Sequence, residues 1–246
     1  MRNIWTIARR EYKLYFNGPI AYAVAFLYFL IVGWFVYAEL RDALEMATFQ
    51  PYTPSVQLVT GSIMVFLLIF TIPAITMRLV AEESRTGTME LLLTAPVRDW
   101  ELIIGKWLSG FLFMLTLLAV TLIYPFILNR ISSPGIDQGP MISGYLGLML
   151  MLSSLVAVGV GISALFNNQI AAFFVTLAVV LFLWFFRLPT STTGVVKDIA
   201  ANINFIDHYV TFYRGVIDIK DIAYYLSMTA LGLFLGVVAV EVRRWR

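Results

Sequence analysis

From Gln138 to Phe186 the chain runs for 49 residues without one Asp, Glu, Lys or Arg. A helix crossing the roughly 30 Å of lipid hydrocarbon needs about 20 apolar residues, so this run holds two crossings joined by a tight turn. Phe166-Asn167-Asn168-Gln169 is that turn. The chain as a whole is 60% hydrophobic and only 13% charged, too little polar surface for a soluble domain. These values predict an all-α polytopic membrane protein.

Six segments are apolar enough to cross: residues 19–38, 56–77, 107–129, 141–165, 170–186 and 222–240. Pro51 and Pro54 break the start of the second, and Pro73 and Pro125 are placed to kink the second and third. Residues 1–246 read as one transmembrane domain. The first apolar run is too long for a signal-peptide core and no small-residue cleavage site follows it, so no cleaved leader is expected. Eleven Lys and Arg fall on the side of the N-terminus and six on the other, which predicts both termini in the cytoplasm.

Glu82–Glu101 then lies in the cytoplasm, and it carries seven charges around a Leu-Leu-Leu run. Inserting those charges would cost on the order of 20 kcal/mol, so the segment stays out of the hydrocarbon. Gly87 with Glu90 three residues later resembles a helix start, Pro96 ends the run, and Met89, Leu92 and Leu93 share one face. Asp99 is placed to cap the next helix. Spacing alone leaves two uses open for the apolar face: packing against the ends of its own spans, or docking a soluble partner.

What the sequence lacks narrows the choice. No span as drawn contains Asp, Glu, Lys, Arg or His, so the ion pairs and proton relays of a secondary transporter are missing. Gly105-Lys106 has neither the upstream glycine nor the Ser/Thr of a phosphate-binding loop. There is no cysteine and a single histidine, His208, which excludes thiolate and histidine-cluster metal sites within one chain. An intramembrane enzyme has no base or carboxylate pair to work with. A net charge of only +2 gives no reason to expect nucleic acid.

Three stretches carry a resemblance. YFNGPIAYAVAFLYFLIVGWF after a basic amphipathic N-terminus, EESRTGTMELLLTAPVRDWELIIGKWL after the second span, and FYRGVIDIKDIAYYLSMTALGLFL into the sixth resemble permease subunits of type-2 ABC exporters, especially the branch found with gliding-motility systems. The resemblance implies six spans per subunit, an N-terminal helix lying along the membrane, a cytoplasmic coupling helix between spans two and three, and short outer helices between spans five and six. It implies a second permease subunit, identical or homologous, and a cytoplasmic ATPase dimer that uses ATP and Mg, with no cofactor bound by this chain. The setting it implies is a bacterial inner membrane. On it, Glu82, Glu83, Arg85, Met89, Glu90, Leu92, Leu93 and Pro96 form the coupling region, with Asn167, Asn168 and Gln169 as a second cytoplasmic turn. The function implied is half of a translocation path driven by the separate ATPase. The alternative is a mechanical or assembly subunit that acts on an extracytoplasmic partner and passes no substrate.

Residues 1–18 form an amphipathic interfacial helix with Arg9, Arg10 and Lys13 on its polar arc. Glu11 breaks the pattern by falling on the apolar side. Either it reaches water, or it pairs with an arginine such as Arg78 or Arg85. Ser153, Ala157 and Gly161 in span four, with Gly232 and Gly236 in span six, are small residues for close helix packing, within the subunit or between subunits. Phe205, Ile206, Tyr209, Phe212 and Tyr213 fall at helical spacing in the outer loop; the family resemblance makes Phe205, Tyr209, Phe212 and Tyr213 an outer gate. His208 is read as an interfacial polar residue.

Overall fold

The apolar runs become helices, and no strand occurs among the residues described in the computed structural model, 2–46, 61–89, 97–131, 135–186 and 203–244. In chain order the helices are α1 (Arg2–Asn17), α2 (Pro19–Met46), α3 (Ser62–Thr76), α4 (Ala81–Thr86), α5 (Asp99–Thr121), α6 (Ile123–Ile131), α7 (Gln138–Leu165), α8 (Gln169–Phe185), α9 (Phe205–Tyr213) and α10 (Ile219–Arg244). Five stretches among the described residues are long and apolar enough to cross a membrane: Ala21–Asp42, Ile63–Thr86, Asp99–Arg130, Gln138–Leu165 and Ile219–Arg244. The expected fifth span, α8, is apolar but only 17 residues long.

Most helix ends lie a few residues away from the ends of the apolar runs, and two are of note. The second span begins as a described helix at Ser62, and residues 56–60 lie outside the described residues. The helix expected to open at Trp-Glu-Leu and run into the third span does so, with Asp99 as its first residue and the apolar run from Trp107 as its continuation. That stretch is 32 residues long, about 48 Å of helix, so its ends extend beyond a hydrocarbon layer of roughly 30 Å. The ladder is interrupted at Leu122, whose N–H turns to the Ala119 carbonyl at 3.2 Å, three residues before Pro125, whose ring disturbs the preceding turn.

Helix α7 is the centre of the bundle. It packs on α10, α9, α5, α8 and α3, and its pairing with α10 is the most extensive in the molecule. Small residues permit that closeness: a Cβ on Gly232 would lie 2.6 Å from the Ala157 carbonyl carbon, and one on Gly161 would lie 2.5 Å from the Gly232 oxygen. Ser153 and Thr229 hydroxyls meet across the same seam at 3.3 Å. The small-residue face is thus used within the chain. By contrast α2 is peripheral, with Tyr22, Phe26, Trp34 and Tyr37 all more than half exposed.

Overpacking the seam should be felt at once. Gly232→Leu is expected to lower the melting temperature in detergent by roughly 2–10 °C, the shift that 1–3 kcal/mol of core strain produces in a chain this size. Gly18→Ala, whose new Cβ would meet nothing closer than 3.7 Å, should melt like the native chain.

Candidate functional site

The charged segment after the second span folds back on its own bundle. Helix α4 is short, and Gly87 ends it in the left-handed conformation at φ 73°, where an L side chain would be strained. Thr88 and Met89 are helical again. Three spans hold the turn that leads into α4. From α7, the Ser163 hydroxyl accepts from the Val80 and Ala81 N–H groups at 3.3 and 3.1 Å and donates to the Met77 carbonyl at 3.1 Å. From α10, Arg243 donates to the Ser84 hydroxyl. From α5, Lys106 reaches beneath α4.

Lys106 is the centre of the site. Its side chain is 1% exposed, and its ammonium lies 2.8 Å from Glu83 Oε1 and 4.0 Å from Glu11 Oε1. It also donates to the Leu79 carbonyl at 2.5 Å. A buried ammonium needs acceptors: Glu83 of α4 and the Leu79 carbonyl accept two of its protons, and Glu11 of α1 adds a carboxylate charge at 4.0 Å. Arg10 closes the cluster from outside, 2.9 Å from Glu11 and 3.7 Å from Glu83.

The carboxylate on the apolar side of α1 is thereby explained. Helices α1 and α5 run in the same direction: Asn3 bonds Glu101, Ile4 and Ile7 crowd Gly105, and Tyr12 bonds Thr116. Glu11 lies on that packed face and points at Lys106. Of the two uses open to it, water or an arginine such as Arg78 or Arg85, it takes ion pairing, but with Lys106 and Arg10 as its partners. Arg78 instead sits over the Tyr15 ring at 4.5 Å, and Arg85 is exposed. Burial raises the Tyr15 phenol well above its ordinary range, so it stays protonated and donates to the Ile75 carbonyl at 3.3 Å.

The other expected residues divide clearly. Met89 is buried in the chain's own core at 5% exposure, so it is not part of an exposed apolar face. It follows α4 directly and turns back onto the bundle that holds that helix. Glu82 is exposed, whereas Glu83 is committed to Lys106. Glu90, Leu92, Leu93 and Pro96 lie outside the described residues. Asp99 does not cap α5 but is its first residue, paired with Arg244 at 2.9 Å, and the Arg98 N–H is taken by Glu101 at 3.2 Å. Arg9 and Lys13 are exposed on α1. In the turn after α7, Asn167 and Asn168 are exposed, and the Asn168 side chain caps α8 by accepting from the Ile170 N–H at 2.9 Å.

At the opposite end of the spans, α9 confirms the helical spacing: Phe205, Tyr209 and Phe212 are buried, Tyr213 partly so. The Phe212 ring sits against Gly147 of α7, and the Ser143 hydroxyl donates to the Phe212 carbonyl at 2.8 Å. His208 is no surface residue. Its Nδ1 lies 2.6 Å from Asp221, and its ring stacks on Tyr224 at 3.9 Å. Sequence reasoning missed Lys106, Ser163, Arg243 and Asp221 as site residues; the misplaced Glu11 was the one signal of a hidden cation.

Residues 20–242, from the first turn of α2 almost to the end of α10, match the family described as ABC-2 family transporter protein. No curated protein matches the chain.

The Lys106 cluster makes a graded prediction for stability. Lys106→Ala leaves Glu83 and Glu11 buried beside each other and should cost about 3–5 kcal/mol, read as a fall in melting temperature or in yield of folded protein. Pairing Lys106→Met with Glu83→Gln removes both charges and should recover part of that loss. A double variant no better than Lys106→Ala would contradict the pairing.

Proposed function

The chain belongs to the ABC-2 transporter family, and from that premise we propose that it is the permease subunit of an exporter, in the branch found with gliding-motility systems. It crosses a bacterial inner membrane six times, with α8 as the short fifth span and both termini in the cytoplasm. It forms half of a translocation path, with a second permease subunit as the other half. A separate ATPase dimer supplies the energy, and this chain hydrolyses nothing itself.

One observation carries the mechanism: α4 is bonded to three spans at once, through Lys106, Ser163 and Arg243. A push delivered next to α4 reaches α1, α5, α7 and α10 through short polar contacts and not through a flexible loop. The segment between Glu82 and Pro96 receives that push from the ATPase. Leu92 and Leu93 supply its apolar contact, and Glu82, Arg85 and Glu90 frame it; Met89 anchors the segment from inside. The turn at Asn167–Gln169 is a second contact on the same side. Movement of the spans is a rigid-body shift about the subunit interface. On the far side, α9 with Phe205, Tyr209, Phe212 and Tyr213 covers the exit.

Assembly and sidedness test this together. The purified chain should show no ATP hydrolysis, and mild-detergent capture should recover an ATP-binding subunit. Leu92→Asp should weaken that capture at least about tenfold, the factor 1.4 kcal/mol gives, because it forces an unpaired carboxylate into an apolar contact. A cysteine at Thr86, exposed on α4, should react with an impermeant reagent in inverted vesicles and not in intact cells. Full ATPase affinity in a well-folded Leu92→Asp protein would sink the coupling assignment, and labelling of Thr86→Cys in intact cells would reverse the orientation.

A further inference from the structure

Away from the Lys106 cluster, an open groove of about 480 Å³ runs where α1 lies against α5, between Trp5, Arg9 and Tyr12 on one side and Leu112, Leu115 and Ala119 on the other. Its α5 wall belongs to the uncharged run 107–129 and lies roughly 8 to 18 Å along the helix from Trp107, where a span meets lipid tails. Its α1 wall is different. Trp5, Arg9 and Tyr12 stand at i, i+4 and i+7 and share one helix face, so a guanidinium lies between two aromatic residues at the edge of an apolar groove.

The polar groups of the groove are unequally satisfied. The Tyr12 and Thr116 hydroxyls bond each other at 2.9 Å. Arg9 is exposed and, unlike Arg10, has no hydrogen bond or ion pair among the described residues, and the exposed Trp5 indole N–H has no partner among them either. Both groups donate and cannot accept, and no acidic side chain lines the groove among the described residues. Lys13, one turn beyond Arg9 and also exposed, adds a second positive charge on the same arc.

An apolar groove edged only by donors and positive charge selects an occupant that is apolar along its length and anionic at its end. We infer that this groove seats an acyl chain of an anionic phospholipid, with the chain along Leu112, Leu115 and Ala119 and the phosphate on Arg9 and the Trp5 indole N–H. The long stem of Arg9 carries its charge from the apolar edge toward the headgroups. A headgroup bearing an ammonium fits less well, because Arg9 and Lys13 repel the ammonium and no carboxylate lines the groove to receive it. A free phosphate ester leaves the apolar wall uncovered. The inference goes beyond the coupling proposal and does not depend on it, since it concerns a lipid contact of α1 and α5 and not the ATPase.

Melting of the full chain in detergent, titrated with dioleoyl phosphatidylglycerol, dioleoyl phosphatidylethanolamine or soluble glycerol phosphate, tests it, since a ligand of the folded state raises the melting temperature. Phosphatidylglycerol should stabilise with an apparent affinity at least about fivefold above phosphatidylethanolamine, the factor that one basic residue gives toward anionic lipid. Arg9→Gln, at an exposed position, should melt like the native chain without lipid and erase that preference. Ala119→Trp fills the groove from an exposed position and leaves both basic residues in place; it should weaken phosphatidylglycerol at least about tenfold, the factor lost with about two buried methylenes. Equal affinities for the two lipids, or a preference that survives Arg9→Gln, overturns the headgroup assignment. Phosphatidylglycerol binding undiminished by Ala119→Trp puts the lipid on the charged surface of α1 and overturns the groove. Stabilisation by glycerol phosphate as strong as by the lipid overturns the lipid source. If no lipid stabilises the chain and Ala119→Trp weakens association of two copies, the groove belongs to a protein contact and the inference fails.

Discussion

A lysine ammonium buried to 1% exposure under the end of a membrane bundle is the constraint on which the α4 end of this structure depends. Taking that charge out of water costs several kcal/mol unless geometry and hydrogen bonds repay it. Glu83, Glu11 and the Leu79 carbonyl supply the repayment, and each comes from a different part of the chain. One ammonium thus ties together α1, the turn after α3 and α4. Ser163 and Arg243 extend the same node to α7 and α10.

Such a node does more than stabilise. In the middle of the bundle the helices are joined by apolar packing and small-residue seams, which are tight but not directional. At the α4 end they are joined by charge and hydrogen bonds to one six-residue helix. The seat of α4 is thus the part of the described structure where a local displacement has the most direct mechanical routes into separate spans. Met89 belongs to this picture as an inward anchor: buried at the end of the node, it fixes where the following segment leaves the bundle.

Much of the fold was legible in the sequence because lipid imposes a coarse and strict rule, namely long apolar helices with charge only at their ends. Five stretches obey it outright, and α8 and α9 fall where hydropathy and aromatic spacing put them. The site was less legible. Lys106 looked like the flank of a span because its distance from the apolar run says nothing of what packs over it. Its burial is decided by α1, about a hundred residues earlier in the chain, and by a turn whose shape depends on Ser163 in another helix. Glu11 carried the warning, since a carboxylate on a packed face requires a cation, but period alone could not say which one. His208 was misread for the same reason. Its partner Asp221 lies beyond a helix and a turn, and only their folding brings the two within 2.6 Å.

The central claim is that α1 and α4 move as one body because Lys106 clamps both. Spin labels at Lys13 on α1 and Thr86 on α4, both exposed, report it directly by pulsed electron-spin distance measurement in the assembled complex with and without ATP. One narrow distance distribution, unchanged by ATP in the native background and broadened by Lys106→Met, is the expected result. A distribution that shifts with ATP while Lys106 is intact would contradict the clamp.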